Sequence, residues 1–150
     1  MNTRISPHQT HPEAYATMLQ MENFIRSTSI SARLRELIKI RVSMINGCSY
    51  CIDMHTRDAV KYGETPERIY LLSVFEEVPH FSPEEKAALK MAVELTLVHQ
   101  HGLSEETYQE VARHYTPQQI MELTMITVTI NGWNRIAKAT NMLPALPQEA

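Results

Sequence analysis

The sequence predicts an all-α fold, a bundle of about seven helices, and three observations lead there. Glycine is scarce: four in 150 residues, at Gly47, Gly63, Gly102 and Gly132. The segments between them are rich in Leu, Met, Ala, Glu, Lys and Arg, all good helix formers. No convincing period-two strand occurs. The best β-branched run, Met125 to Ile130, lies inside a longer helical pattern.

The helices are placed by their start and stop signals. The first runs from about Pro12 to Arg26, with Met18, Met21 and Ile25 on one stripe. The second follows Ser31 and carries Leu34, Leu37, Ile38, Ile40, Val42 and Ile45. Asn46-Gly47 ends it, a pair that tolerates the left-handed conformation of a C-terminal cap. The third starts near Cys48 and ends at Gly63. The fourth opens with Thr65-Pro66, a cap followed by proline at the first helical position. The fifth opens with Ser82-Pro83-Glu84-Glu85, the form of a capping box, and runs to about His101. The sixth opens at Ser104. The seventh opens with Thr116-Pro117 and runs to about Asn141, and the tail from Pro144 to Ala150 is expected to fray. Nothing of low complexity divides the chain, so one domain over 1–150 is expected. His99 and His101 are read as helix-end residues, Met18, Met21, Met91, Met121 and Met125 as core filler, and Trp133 as a packing or interface residue.

Composition narrows the function. Hydrophobic residues are 43% and charged residues 21%, ordinary values for a globular protein. A net charge of −3 offers no basic field for nucleic acid. No apolar run approaches the roughly 18 residues of a membrane span, and Met1 to His8 has no apolar signal core. A cytoplasmic location is therefore expected, where paired cysteines more often serve catalysis or metal binding than structure.

The two cysteines of the chain stand as Cys48-Ser49-Tyr50-Cys51, with His55 four residues on. In a helix, Cys51 and His55 share a face one turn apart. A thiol beside an imidazole is the arrangement of a nucleophilic or redox-active cysteine. Gly47 places both cysteines in the first helical turn, where free N–H groups and the dipole favour thiolate. A tight return at Asn46-Gly47 sets the third helix antiparallel to the second. Counting out from the turn brings Glu36 close to the level of His55, for direct contact or contact through one water. The order is carboxylate, imidazole, thiol. Two other readings stay open: buried core cysteines without chemistry, and a zinc-stabilised binding module with Cys48, Cys51 and His55 as ligands and Glu36 or another histidine as the fourth.

The pattern Glu36, Cys48, Cys51, His55 resembles the motif of the AhpD-like alkylhydroperoxidases in the carboxymuconolactone decarboxylase superfamily. Leu34 to Ser43, Met54 to Ala59 and Asn131 to Ile136 are also similar to those proteins, so the resemblance spans roughly 31–141. It implies an all-α fold and assembly into homo-oligomers, trimers or hexamers. It also implies thiol-dependent alkyl hydroperoxide reduction through a dithiol–disulfide cycle. Cys51 is then the peroxide-reactive thiol, Cys48 the resolving thiol, His55 the base, and Glu36 the group that orients it. No bound cofactor is implied. The reductant is an external dithiol such as dihydrolipoamide, and the partners are a lipoyl-bearing protein or a peroxiredoxin. Some members carry histidine before the second cysteine, where this chain has Tyr50, which implies a less basic site and weaker peroxidase turnover. A decarboxylase-type enzyme without redox activity is the remaining alternative within the superfamily.

Overall fold

The computed structural model describes residues 3–145, so residues 146–150 of the tail expected to fray lie outside it. Among the described residues there are nine α-helices, one 3-10 turn and no strand. They are α1 (Pro7–Thr10), α2 (Pro12–Arg26), α3 (Ala32–Asn46), α4 (Ser49–Lys61), α5 (Pro66–Leu71), the 3-10 turn Leu72–Val74, α6 (Pro83–Thr96), α7 (Val98–His101), α8 (Glu105–His114) and α9 (Pro117–Thr140).

Most expected boundaries hold, and the helix count of about seven does not. The fifth expected helix breaks at Thr96 instead of running to His101. The Thr96 hydroxyl donates to the carbonyl of Ala92 at 2.7 Å, a back-bond that bends a helix. Leu97 leaves helical geometry, and the chain makes one further turn, α7, before Gly102. The short α1 and the 3-10 turn have too few residues for a hydrophobic period to show.

Helix α3 is the axis of the bundle and packs against α4, α6 and α9. Leu37, Ile38, Ile40 and Val42 are fully buried on it. Burying each such side chain contributes about 1.5–3 kcal/mol, so α3 is fixed from several sides. Three polar residues, Glu36, Lys39 and Ser43, are nevertheless buried on the same helix. Their spacing of three and four residues gives them one face, and that face carries the site. Of the methionines expected in the core, Met91 is buried, but Met121 is exposed on α9. It precedes Glu122, whose carboxylate turns inward to accept from Ser29 N–H and Oγ at 3.0 and 2.7 Å.

Candidate active site

The turn between α3 and α4 is built in three steps. Gly47 takes φ 63° and ψ 40°, which a side chain would strain. Gly47 N–H then donates to Met44 O at 3.3 Å, and Cys48 N–H to Ser43 O at 3.0 Å, closing the end of α3. Helix α9 clamps the result. Asn46 Nδ2 donates to Asn131 Oδ1 and Asn134 Oδ1, at 3.0 and 2.9 Å. Asn134 Nδ2 donates to Ser43 Oγ at 2.9 Å, and Lys138 Nζ donates to the Gly47 carbonyl at 3.0 Å. The residue before the cysteine pair is thereby held by a helix 91 positions away.

Cys48 and Cys51 are joined as a disulfide. Cys48 is the N-cap of α4, and its sulfur accepts from Cys51 N–H at 3.3 Å. The free N–H groups and the dipole of α4 are therefore aimed at Cys48. Cys51 lies inside the first turn. Both are buried.

Glu36 meets His55 directly, without an intervening water: His55 Nδ1 donates to Glu36 Oε2 at 2.7 Å. The carboxylate fixes the proton on Nδ1 and leaves Nε2 on the far side of the ring. Nε2 is buried and makes no hydrogen bond within the protein. Burial by itself would push the Glu36 carboxyl up. The hydrogen bond from His55, then the charges of His55 and Lys39, outweigh burial and the opposing Asp58, and hold it below its usual value. Lys39 Nζ lies 3.5 Å from Glu36 Oε1 and closer to Glu22 Oε1 of α2.

A cavity of about 250 Å³ opens onto this group, lined by Cys51, His55, Glu36, Tyr50, Tyr15 and Trp133 among others. Cys51 lines it and Cys48 does not. The Tyr15 ring meets Trp133 edge-on with centroids 5.3 Å apart, so Trp133 packs the cavity wall. A shallower hollow of about 320 Å³ between Phe81, Lys86 and Lys90 has neither thiol nor imidazole.

The structure brings together all four residues that the sequence singles out. In this oxidised form the two sulfurs that the zinc reading would use are bonded to each other. Donor atoms of Glu36, His55 and Asp58 lie within 4.8 Å of one another, but Glu36 is already committed to His55 and Lys39. Glu22 and Lys39 escaped the sequence reading. The signal for Lys39 is a charge three positions from Glu36, on the same helical face and between the apolar Ile38 and Ile40. Glu22 left no signal, because its contact spans 17 residues between helices.

The arrangement can hold an imidazole oriented by a carboxylate beside a thiol that faces a small cavity, with a second thiol in disulfide reach. The sequence profile of the carboxymuconolactone decarboxylase family matches residues 12–94. The uncharacterized protein YdfG of Bacillus subtilis (strain 168) is 46% identical over 139 residues, covering 93% of this chain and 95% of that protein. A crystal structure from Agrobacterium tumefaciens, of a protein of unknown function named as a candidate antioxidant defence protein AhpD, is 31% identical. It superposes with a TM-score of 0.94 over 97% of this chain and all of that one. An AhpD-core, peroxidase-related protein from Ralstonia eutropha JMP134 shares the fold at 19% identity, with a TM-score of 0.81 over 92% of this chain and 74% of that one. No helix among the described residues is long and apolar enough to cross a membrane. From the motif, the matched profile and the shared fold, the chain belongs to the carboxymuconolactone decarboxylase family, as an AhpD-like member.

Proposed function

We propose that the protein is a dithiol peroxidase that reduces alkyl hydroperoxides and is recycled by an external dithiol such as dihydrolipoamide. The observation that carries this reading is the 2.7 Å contact of Glu36 with His55 Nδ1, on the same helix face as a cysteine already paired in a disulfide. His55 Nε2, which has no partner in the oxidised protein, takes the proton of the Cys51 thiol, and Glu36 stabilises the imidazolium. The thiolate attacks the hydroperoxide. The O–O bond breaks, Cys51 becomes a sulfenic acid, and the alkoxide leaves as alcohol with the imidazolium proton. Cys48 then attacks the Cys51 sulfur, water leaves, and the disulfide closes. Two electrons have passed from the thiols to the peroxide.

Reduction runs through the cavity. The external dithiol attacks Cys51 from the cavity that it lines, and Cys48 leaves as a thiolate against the Cys51 N–H. A second attack within the dithiol releases the reduced protein. The same reading takes a lipoyl-bearing protein or a peroxiredoxin as partner, a homo-oligomer (trimer or hexamer) as the working form, and the cytoplasm as its setting.

The test is turnover of tert-butyl hydroperoxide by the reduced protein with dihydrolipoamide. Steady turnover is expected in the wild type and none in Cys51→Ser. Cys48→Ser should consume one equivalent of peroxide and stop, with a trappable sulfenic acid. Two thiols persisting after peroxide, with one zinc bound per chain, would establish the binding-module reading instead. Release of carbon dioxide from a carboxylated lactone, without peroxide turnover, would establish the decarboxylase.

A further inference from the structure

Helix α2 has a single buried residue, Ile25, yet it forms one wall of the cavity. Tyr15, Leu19, Glu22 and Arg26 line it from α2, a spacing of four, three and four that makes a continuous helical stripe. Glu22 is the member of that stripe that reaches through to the charged centre. Its Oε1 takes the Lys39 ammonium, while its Oε2 is buried without a hydrogen-bond partner.

Lys39 therefore stands between two carboxylates. It is 3% exposed, so it has no bulk water to share its charge with, and an ammonium here must be divided between Glu22 and Glu36. The division is unequal. Glu22 holds Lys39 at hydrogen-bonding distance, and Glu36 Oε1 stands back at 3.5 Å. Glu36 keeps its other oxygen for His55. Lys39 and His55 compete for the same carboxylate, and Glu22 decides how much of Lys39 takes part.

Building on the thiol reading of the site, we propose that Glu22 and Lys39 are positioning residues that set the hold of Glu36 on His55 from the cavity wall. Glu22 draws the ammonium away, so that Glu36 spends its charge on the imidazole. If α2 moved or Glu22 lost its charge, Lys39 would fall onto Glu36 and the imidazolium would lose support. The remaining polar groups facing the centre are Arg26 and Tyr15 from α2, Arg35 from α3, Tyr50 and Asp58 from α4, and Tyr62 just after α4. None bridges Glu22 to Glu36. Asp58 holds Lys61, and Arg35 Nη1 holds the Ile30 carbonyl. Helix α9 presents Trp133 and Ala137, which carry no charge.

The test uses Glu22→Gln, which keeps the size of the side chain and an oxygen for Lys39. Two measurements are needed. The first is the titration of the Glu36 carboxyl in the oxidised protein, followed by carbon-13 NMR with labelled glutamate and assigned by loss of the signal in Glu36→Gln. It requires no thiol chemistry. Lys39 moves onto Glu36, so the midpoint should fall further, by roughly half a unit or more. The second is alkylation of Cys51 near neutral pH in the reduced protein, which should slow about threefold, the rate equivalent of roughly half a pKa unit. Lys39→Met should move the Glu36 midpoint upward. Adding Glu22→Gln to Lys39→Met should produce less than half of its effect alone. An unchanged Glu36 midpoint in Glu22→Gln overturns the proposal. So does an effect of Glu22→Gln that persists undiminished without Lys39. A normal carboxyl response with an inert Cys51 in the wild type would leave the positioning intact and remove the thiol reading.

Discussion

Two buried carboxylates, Glu36 and Glu64, are set in ionic networks of similar size, and they do different work. Glu36 on α3 faces His55 and Lys39. Glu64, just after α4, accepts the N–H of Thr65 at 2.9 Å and pairs with Arg68 at 2.9 Å and Arg33 at 3.4 Å. Arg68 continues to Glu85 at 2.6 Å and to the His80 carbonyl at 2.7 Å, and lies 4.7 Å above the Phe81 ring. Both carboxylates are more than nine-tenths buried, so burial does not separate them. Their partners do. Guanidinium groups stay charged across the working range and hold fixed geometry, so the Glu64 network ties α3, α5 and α6 together. Imidazole changes charge near neutral pH, and only Glu36 of the two lines the cavity with a cysteine. A buried acid becomes a candidate for catalysis through a partner that can give up its proton beside a reactive atom.

The contrast can be broken by neutralising each acid in turn. Glu36→Gln should lower peroxide turnover by at least about tenfold, since general acid–base groups typically contribute ~10²–10⁴-fold. It should also move the pH profile of Cys51 alkylation upward, measured with iodoacetamide on the reduced protein. The titrating unit is the set Glu36, His55 and Cys51, so the profile belongs to all three. An unchanged profile would put Glu36 in the same class as Glu64.

Glu64→Gln should do the reverse. It leaves Arg33 and Arg68 short of a counter-charge and should cost about 1–3 kcal/mol in urea unfolding. The alkylation profile should keep its wild-type position, because no atom of that network reaches the cavity. A shifted profile would join the two networks and remove the distinction.

The smallest effect lies in acid. Burial pushes the Glu85 carboxyl up, but Arg68 and the Ser82 N–H together hold it below the ordinary 4.5, as His55 and Lys39 do for Glu36. A carboxyl lowered on folding stabilises the protein fully above its unfolded value. That contribution is lost as pH falls through the lowered folded value. Stability should therefore decline below about pH 4.5, with Glu94 and Glu122, also held low, contributing beside these two. The loss between pH 6 and pH 3.5, from urea unfolding, should be smaller in Glu36→Gln than in the wild type. An equal loss would mean that Glu36 has the same proton affinity folded and unfolded.

Much of this was legible in the sequence because it is local. The capping box at Ser82, the Thr116-Pro117 start and the Asn46-Gly47 stop mark helix ends with side chains and backbone only a few residues apart. Counting from one turn places Glu36 near His55 because antiparallel helices keep register over roughly two to three turns. What the sequence hid is long-range. Ser43 with Asn134, and Asn46 with Asn131, join helices that no spacing rule relates. Glu22 reads in the sequence as any solvated helix charge; its contact with Lys39 depends on how α2 packs against α9. Met121 failed for a related reason: a single apolar residue on a long amphipathic helix does not say which side it faces.

The clamp on the Gly47 carbonyl has a consequence for the order of assembly. All four residues of the thiol centre are made within a stretch of twenty, yet Asn134 and Lys138 follow Ser43 and Gly47 by 91 positions each. A ribosome adding roughly 5–20 residues per second needs about 5–20 s to cover that distance. Through that interval the nascent α3–α4 hairpin carries both thiols with its turn unclamped and no wall from α9. The cysteine pair is thus among the early products of translation and among the last parts of the molecule to become rigid. Arrest peptides placed before and after residue 138, followed by rapid alkylation, would show the thiols losing their general reactivity only when the last helix emerges.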